Sequence, residues 1–165
     1  MSETSYVYVT YIRTTPEKLW QALTTREFLL QYWQMGPAGV DPQVGAPVKW
    51  DMGSEVRDLG QVVLESDPYR RLAYTWHTYQ REWMDMFGWT EERFAELSKE
   101  GPSKVAFDLE PAGSVVKLTV THDDFEPGSE MLKGVSGGWP QVLSGLKSLL
   151  ETGEPLDWTW SPPAQ

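Results

Sequence analysis

The 165-residue sequence predicts an α+β fold in which a curved antiparallel sheet wraps around one long C-terminal helix. Three observations predict it. A strand pattern near the N-terminus is followed at once by two short helix patterns, strand patterns then recur as far as residue 122, and a long apolar stripe of helical period closes the chain. An apolar sheet face needs a cover, and the last helix has the only stripe large enough to provide one.

The first strand and the two short helices are marked by their end residues. Residues 6–13 are rich in β-branched and aromatic side chains, which favours a strand. Thr15 suits the N-cap of the next helix, and Pro16 suits its first position. Thr24 and Glu27 have the capping-box spacing, so we expect the second helix to begin just after Thr24.

Alternation of apolar and polar residues predicts the later strands at about residues 48–52, 59–65, 71–78, 104–110 and 116–122, with a hairpin turn at 111–113. The alternation also assigns faces. It puts Tyr74 and Trp76 inside and His77 on the surface, and it puts Val120 and His122 inside.

Residues 79–103 interrupt this rhythm. Thr90 and the residues after it predict a helix that ends before Gly101. The Trp, Met and Phe residues before Thr90 are too apolar for a solvated loop, so we expect this insert to fold over an opening or an edge of the sheet.

The long helix is predicted to span Ser129 to Thr152, with Gly153 as its C-cap. Gly138 and Pro140 weaken its first half, so we expect a kink or a late start near Gly138. Its apolar residues recur at steps of three and four: Leu132, Val135, Trp139, Val142, Leu143, Leu146, Leu149 and Leu150. Residues 1–153 then form a single domain, and residues 154–165 form a tail whose Trp158 and Trp160 are expected to dock on it.

Composition limits the function. Acidic residues number 24 and basic residues 14, so the net charge of −10 opposes binding to nucleic acid or to an anionic membrane. There is no cysteine, signal-peptide pattern or membrane-length apolar run, so we expect a soluble cytoplasmic protein. Two histidines cannot make a three-histidine site, and the acidic cluster at residues 123–126 lacks calcium-loop spacing. We therefore expect no metal and no cofactor.

Six short segments follow one another in a characteristic order along the chain. The first contains TTPEKLWQALT, and the last is GGWPQVLSGLKSLLETG. The segments are 11–24, 31–33, 60–62, 67–76, 118–123 and 137–153. In this order they resemble the activator-of-90-kDa-heat-shock-protein-ATPase homologue family. The 79–103 insert is longer than the usual connection of that family, and the Trp-bearing tail lies outside its shared pattern.

The resemblance implies the helix-grip fold of the START-like, or SRPBCC, superfamily, which includes polyketide cyclases and birch-pollen-allergen-like proteins. Members commonly enclose an apolar cavity. Nine Trp, seven Tyr and five Phe supply rings that can either line such a cavity or pack a solid core. The predicted ligand-cavity residues are Trp33, Trp50, Tyr74, Trp76, Phe107, Val120, His122, Trp139 and Leu143.

Three functions stay open at this point. The first is non-catalytic binding of a small apolar or aromatic molecule. The second is a protein-interaction module, co-chaperone-like as the family name implies, with a protein partner or a second copy as a homodimer. The third is a cyclase- or hydrolase-like enzyme in which His122 acts as a general base. A hydrogen-bonded structural histidine is the competing interpretation of His122.

Overall fold

The computed structural model describes residues 4–33, 36–52 and 55–156. Its elements are β1 (Tyr6–Ile12), α1 (Pro16–Thr24), α2 (Arg26–Tyr32), β2 (Pro47–Asp51), β3 (Val56–Asp67), β4 (Arg71–Thr75), α3 (Trp83–Phe87), α4 (Glu91–Leu97), β5 (Lys104–Ala112), β6 (Val115–Asp123) and α5 (Glu130–Thr152). The predicted docking of Trp158 and Trp160 lies outside the described residues.

The predicted helix-grip fold is confirmed. The strands form one six-stranded antiparallel sheet in the order β1-β6-β5-β4-β3-β2. The register between β2 and β3 shifts between Val48 and Lys49, and that between β3 and β4 shifts between Val63 and Glu65, with the extra residues on β3 in both cases. Such bulges bend a strand and increase its twist, which helps this half of the sheet to curve around α5.

The start of α1 is as predicted, whereas the start of α2 is shifted by one residue. Thr15 caps α1, and its Oγ accepts a hydrogen bond from the backbone N–H of Lys18 at 3.2 Å. Thr24 does not cap α2, because α1 extends through it and its hydroxyl donates to the carbonyl of Trp20 at 2.8 Å. Thr25 takes the cap position instead, in extended backbone.

The predicted late start of α5 near Gly138 is wrong, because the N-terminus of the helix is doubly capped. The hydroxyl of Ser129 accepts from the N–H of Leu132 at 3.0 Å. The carboxylate of Glu100, at the end of the insert, accepts from the Ser129 hydroxyl and from the N–H of Glu130 at 3.0 Å. A carboxylate at this end also interacts favourably with the helix dipole.

The insert joins the sheet to α5. Its predicted helix is present as α4, where the Thr90 hydroxyl accepts from the N–H of Arg93 at 3.0 Å. At the other end, Glu82 forms an ion pair with Arg57 of β3 at 3.3 Å. With Glu100 bound to the start of α5, the insert is held at both ends.

The apolar core lies between the inner sheet face and one side of α5. The sheet contributes alternate residues of each strand, as the predicted parity requires. The buried residues of α5 are Leu132, Trp139, Leu143, Gly145, Leu146 and Leu149.

Replacing Leu146 by Ala tests this packing. Leu146 is fully buried, so Leu146→Ala is expected to lower the free energy of unfolding by about 2–5 kcal/mol, since it removes buried methyl groups and leaves a cavity. Leu30→Ala is the control because Leu30 is 50% exposed on α2, and its effect is expected within about 0.5 kcal/mol. Urea unfolding followed by circular dichroism measures both, and equal effects would contradict the assignment of the α5 face.

Candidate functional site

One end of the sheet, here named the mouth, gathers the residues predicted for the ligand cavity. The antiparallel register brings the ends of β2, β4 and β6 beside the starts of β3, β5 and β1, as the pairs Asp51–Val56, Thr75–Lys104 and Tyr6–His122 show. The insert connects β4 to β5, so it lies at this same end.

Four tryptophans meet at the mouth and are named the tryptophan cluster: Trp33, Trp50, Trp76 and Trp139. The Trp76 ring centroid lies 5.1 Å from that of Trp50, 6.2 Å from that of Trp33 and 5.5 Å from that of Trp139. Trp33 also contacts Trp50 at 5.8 Å and Trp139 at 5.3 Å. All four are buried. Trp33 and Trp139, which are more than 100 positions apart in the chain, are thus brought together.

The remaining predicted residues continue this cluster into the core. The Phe107 ring lies 5.8 Å from Tyr74 and 5.9 Å from Trp139. Val120 and Leu143 are buried in the same apolar cluster, and His122 is fully buried. The sequence did not decide whether these rings line a cavity or pack a solid core. In the structure they pack on one another and so fill much of the space between the sheet and α5.

An apolar cleft of about 80 Å³ remains where α5 passes the tryptophan cluster. It is lined by Trp33, Trp76, Val135, Gly138, Trp139 and Val142. Trp33, Trp76 and Trp139 were predicted for the site. The three others belong to α5 and were not, although the helical spacing from Val135 to Val142 puts them on one side of the helix with Trp139.

Two larger hollows, of about 410 and 220 Å³, lie against the outer face of the sheet. Arg71 borders both, and its guanidinium is held by Asp108 at 2.8 Å and by Glu65 at 3.0 Å. These hollows are bounded by charged side chains that bind one another, so they do not suit an apolar ligand.

Both ring nitrogens of His122 are engaged. The indole N–H of Trp139 donates to Nδ1 at 3.0 Å, and Nε2 lies 2.8 Å from the hydroxyl of Ser103. An indole nitrogen can only donate, so Nδ1 carries no proton and the neutral ring carries it on Nε2, donating to Ser103. Ser103 also accepts the backbone N–H of Trp76 through its carbonyl, at 2.8 Å.

This tautomer is opposite to the one that a general base for Ser103 needs. Nε2 would have to be unprotonated to take the hydroxyl proton, and Nδ1–H would then face the N–H of Trp139, another donor. Burial, with a further effect of His77, lowers the pKa of His122 to about 3. The geometry therefore gives His122 the features of a buried structural histidine.

His77 was predicted on the surface, and the structure places it half-buried. β4 ends at Thr75, so the strand alternation no longer applies at residue 77. The His77 ring lies 5.0 Å from Trp50 and from Trp76, and 5.3 Å from Trp83 of the insert. Burial lowers the pKa of His77 to about 4, against a smaller opposing effect of a backbone hydrogen bond.

The insert also presents an apolar surface to solvent. No residue of α3 is buried, although four of its five residues are apolar or aromatic. Met86 is 60% exposed and Phe87 is 58% exposed. The Phe87 ring stacks on that of Trp89, with 5.1 Å between the ring centroids. These two rings thus pack on each other and not on the apolar core. Here Met86 and Phe87 are named the insert patch.

Among residues 4–33, 36–52 and 55–156, no group of His, Asp or Glu side chains is arranged to hold a metal ion. The acidic residues at 123–126 thus form no such site. In the same part of the chain, none of the helices has the length and apolar character needed to cross a membrane.

The family model of the activator of Hsp90 ATPase homolog 1-like proteins matches residues 13–151. The chain belongs to this family. The resemblance found in the sequence is thereby confirmed. No curated protein matches the chain.

Solved structures of similar proteins support the fold. Protein MLL2253 from Mesorhizobium loti is 26% identical over 88% of this chain and 96% of its own, with a TM-score of 0.68. The Aha1 dimer from Colwellia psychrerythraea is 22% identical over 92% of this chain and 98% of its own, with a TM-score of 0.65. CalU16 from Micromonospora echinospora is 19% identical over 90% of this chain and 77% of its own, with a TM-score of 0.62.

The lowered histidine pKa values predict that acid destabilises the fold. Below pH 6.5, the ordinary histidine pKa, the unfolded chain binds protons that the buried His122 and the half-buried His77 do not accept until about pH 3 and 4. The contribution of the two neutral histidines to the free energy of unfolding is therefore complete above pH 6.5 and is lost as the pH falls towards their folded-state pKa values. His122→Gln should reduce the loss of unfolding free energy between pH 7 and pH 5 by about 2 kcal/mol.

Urea titrations at each pH measure this difference. Ser103→Ala is the matched control, because it removes the same hydrogen bond and keeps the titrating ring. It is expected to retain the wild-type pH dependence. A His122→Gln variant as sensitive to pH as the wild type would show that His122 does not titrate as a buried neutral ring.

Proposed function

We propose that this protein binds a small apolar or aromatic molecule, without catalysis, in the cleft between α5 and the tryptophan cluster. The observation that carries the proposal is the cleft itself, an apolar opening of about 80 Å³ walled by three tryptophans and by one side of α5. Rigid aromatic walls with few polar groups are the usual lining of small-molecule sites.

The cleft, at about 80 Å³, is smaller than a cavity that encloses a single benzene ring, so a ligand of one or two rings would fill it only in part or would need movement of α5. Pockets for drug-sized molecules are several times larger, about 300–1,000 Å³. Gly134, Gly137, Gly138 and Pro140 all lie in the N-terminal half of α5. Glycine and proline lower helix stability, so this half is the part of the lining best suited to shift.

The absence of catalysis is argued from His122. It is the candidate base at the mouth, and its tautomer, its burial and its lowered pKa all oppose proton abstraction from Ser103. His122 does not itself line the cleft, and none of the described residues that do so has an acidic or basic side chain.

Filling the cleft tests the proposal. A Cβ at Gly138 would meet no atom within 4 Å, so Gly138→Leu is tolerated by the backbone and extends into the cleft that Gly138 lines. Titration with the uncharged two-ring fluorescent probe naphthalene is expected to show saturable binding to the wild type and at least tenfold weaker binding to Gly138→Leu.

Gly137→Leu is the matched control. Gly137 has the same free space around its Cβ and the same helical surroundings, but it does not line the cleft. It should bind the probe as the wild type does. Absence of saturable binding to the wild type, or equal binding by both variants, would overturn the proposed site.

A second function is favoured by the insert patch, which is a candidate contact for a protein partner. The family name refers to activators of the Hsp90 ATPase, and the Colwellia relative is a dimer. A chaperone or a second copy is therefore the alternative occupant of this surface.

Replacing both Met86 and Phe87 by Ser tests this alternative. If the patch binds a chaperone, the chain should raise the ATPase rate of an Hsp90 and the double variant should not. If it binds a second copy, sedimentation should show a dimer that the variant converts to monomers. An unchanged ATPase rate together with a monomeric wild type would contradict both forms of the alternative.

A further inference from the structure

The indole nitrogen of Trp76 is a buried donor. Trp76 is 6% exposed and lines the cleft, and its Nε1 has no hydrogen-bond partner among residues 4–33, 36–52 and 55–156. An indole N–H can only donate, and leaving it unpaired away from water destabilises the fold. Folded proteins pair most of their buried polar groups, so an unpaired donor beside a cleft requires an explanation.

The indole N–H of Trp139, in contrast, has a hydrogen-bond acceptor. It lines the same cleft, 5.5 Å from the Trp76 ring, and its N–H is bound to Nδ1 of His122. Trp76 contacts that histidine too, ring to ring at 4.9 Å. Trp139 occupies Nδ1 and Ser103 lies at Nε2, so His122 has no ring nitrogen left to accept from Trp76.

Two further buried groups of the mouth have no hydrogen-bond partner among the described residues, but neither lines the cleft. Gln61, fully buried on β3, donates through Nε2 to the carbonyl of Thr75, while its Oε1 is unpaired. Trp83, whose ring packs on His77, has an unpaired indole N–H. Of these groups, only the Trp76 N–H belongs to a residue of the cleft lining.

We propose that the Trp76 indole N–H is the hydrogen-bonding anchor of the cleft, and that its ligand is an uncharged aromatic molecule with an acceptor atom on the edge of its ring. This inference rests on the proposed function and adds the chemical class of the ligand. Trp33 and Trp139 supply faces against which a planar ring packs.

The charge of the ligand follows from the lining. None of the described residues that line the cleft is charged. Ring neighbours of Trp76 outside the lining include His77 and His122, and burial keeps the pKa of each far below 7. An anion would have no cation beside it and would lose its hydration without compensation. A cation would be attracted by the tryptophan faces, but it would not supply the acceptor that the Trp76 N–H lacks.

A pair of ligands with nearly the same shape tests the anchor. Naphthalene has no hydrogen-bond acceptor, whereas quinoline replaces one ring carbon by an accepting nitrogen and is the less hydrophobic of the two. Affinities are measured by NMR titration of the ¹⁵N-labelled protein, with the indole N–H signals observed directly. Quinoline is expected to bind about tenfold more tightly, as one ordinary hydrogen bond allows.

Trp76→Phe should abolish the preference for quinoline and remove the indole signal that moves downfield in the wild type. Trp20→Phe is the control, since Trp20 is a buried tryptophan of α1 outside the cleft. The wild-type comparison of the two ligands stands by itself if Trp76→Phe fails to fold. Equal affinities with an unmoved Trp76 signal would overturn the anchor and keep the cleft, whereas binding of neither ligand would overturn both.

Discussion

The fold at the mouth depends on one buried hydrogen-bonded chain, from the Trp139 indole through His122 to the Ser103 hydroxyl. It joins the middle of α5 to the end of β6 and to the residue before β5. Ser103 extends it to β4, because its carbonyl accepts the N–H of Trp76. The hydrogen bonds of this chain all run in one direction. The Trp139 indole can only donate, so it fixes the proton of His122 on Nε2, which donates to Ser103. The same groups are thereby removed from acid–base chemistry.

Aromatic packing around this chain fills much of the space between the sheet and α5 in the part of the chain that the structure describes. The four rings of the tryptophan cluster pack on one another and leave a narrow cleft along α5. The apolar lining disfavours anions. His122 accepts the indole N–H of Trp139, whereas that of Trp76 has no partner among the described residues.

Much of this could be predicted from sequence, because period and parity decide which side chains face inward. Alternation put Tyr74, Trp76 and His122 inside, and helical spacing put Trp139 on the inner side of α5. Antiparallel pairing then brought them to one mouth.

The remaining features depend on contacts that a sequence pattern does not contain. The position of His77 depends on the end of β4 at Thr75 and on Trp83 arriving from the insert. The early start of α5 depends on Glu100, thirty residues away from the N–H that it accepts. Which indole finds an acceptor depends on ring orientation, so the difference between Trp76 and Trp139 needed three-dimensional coordinates.

The location of a bound ring is the most direct test of the cleft as the ligand site. Intermolecular NOEs between naphthalene and the ¹³C-labelled methyl groups of the protein measure it. The account predicts NOEs to the methyl groups of Val135 and Val142, which line the cleft on α5. NOEs to the methyl group of Met86 without any to these two valines would place the ring on the insert patch and contradict the account.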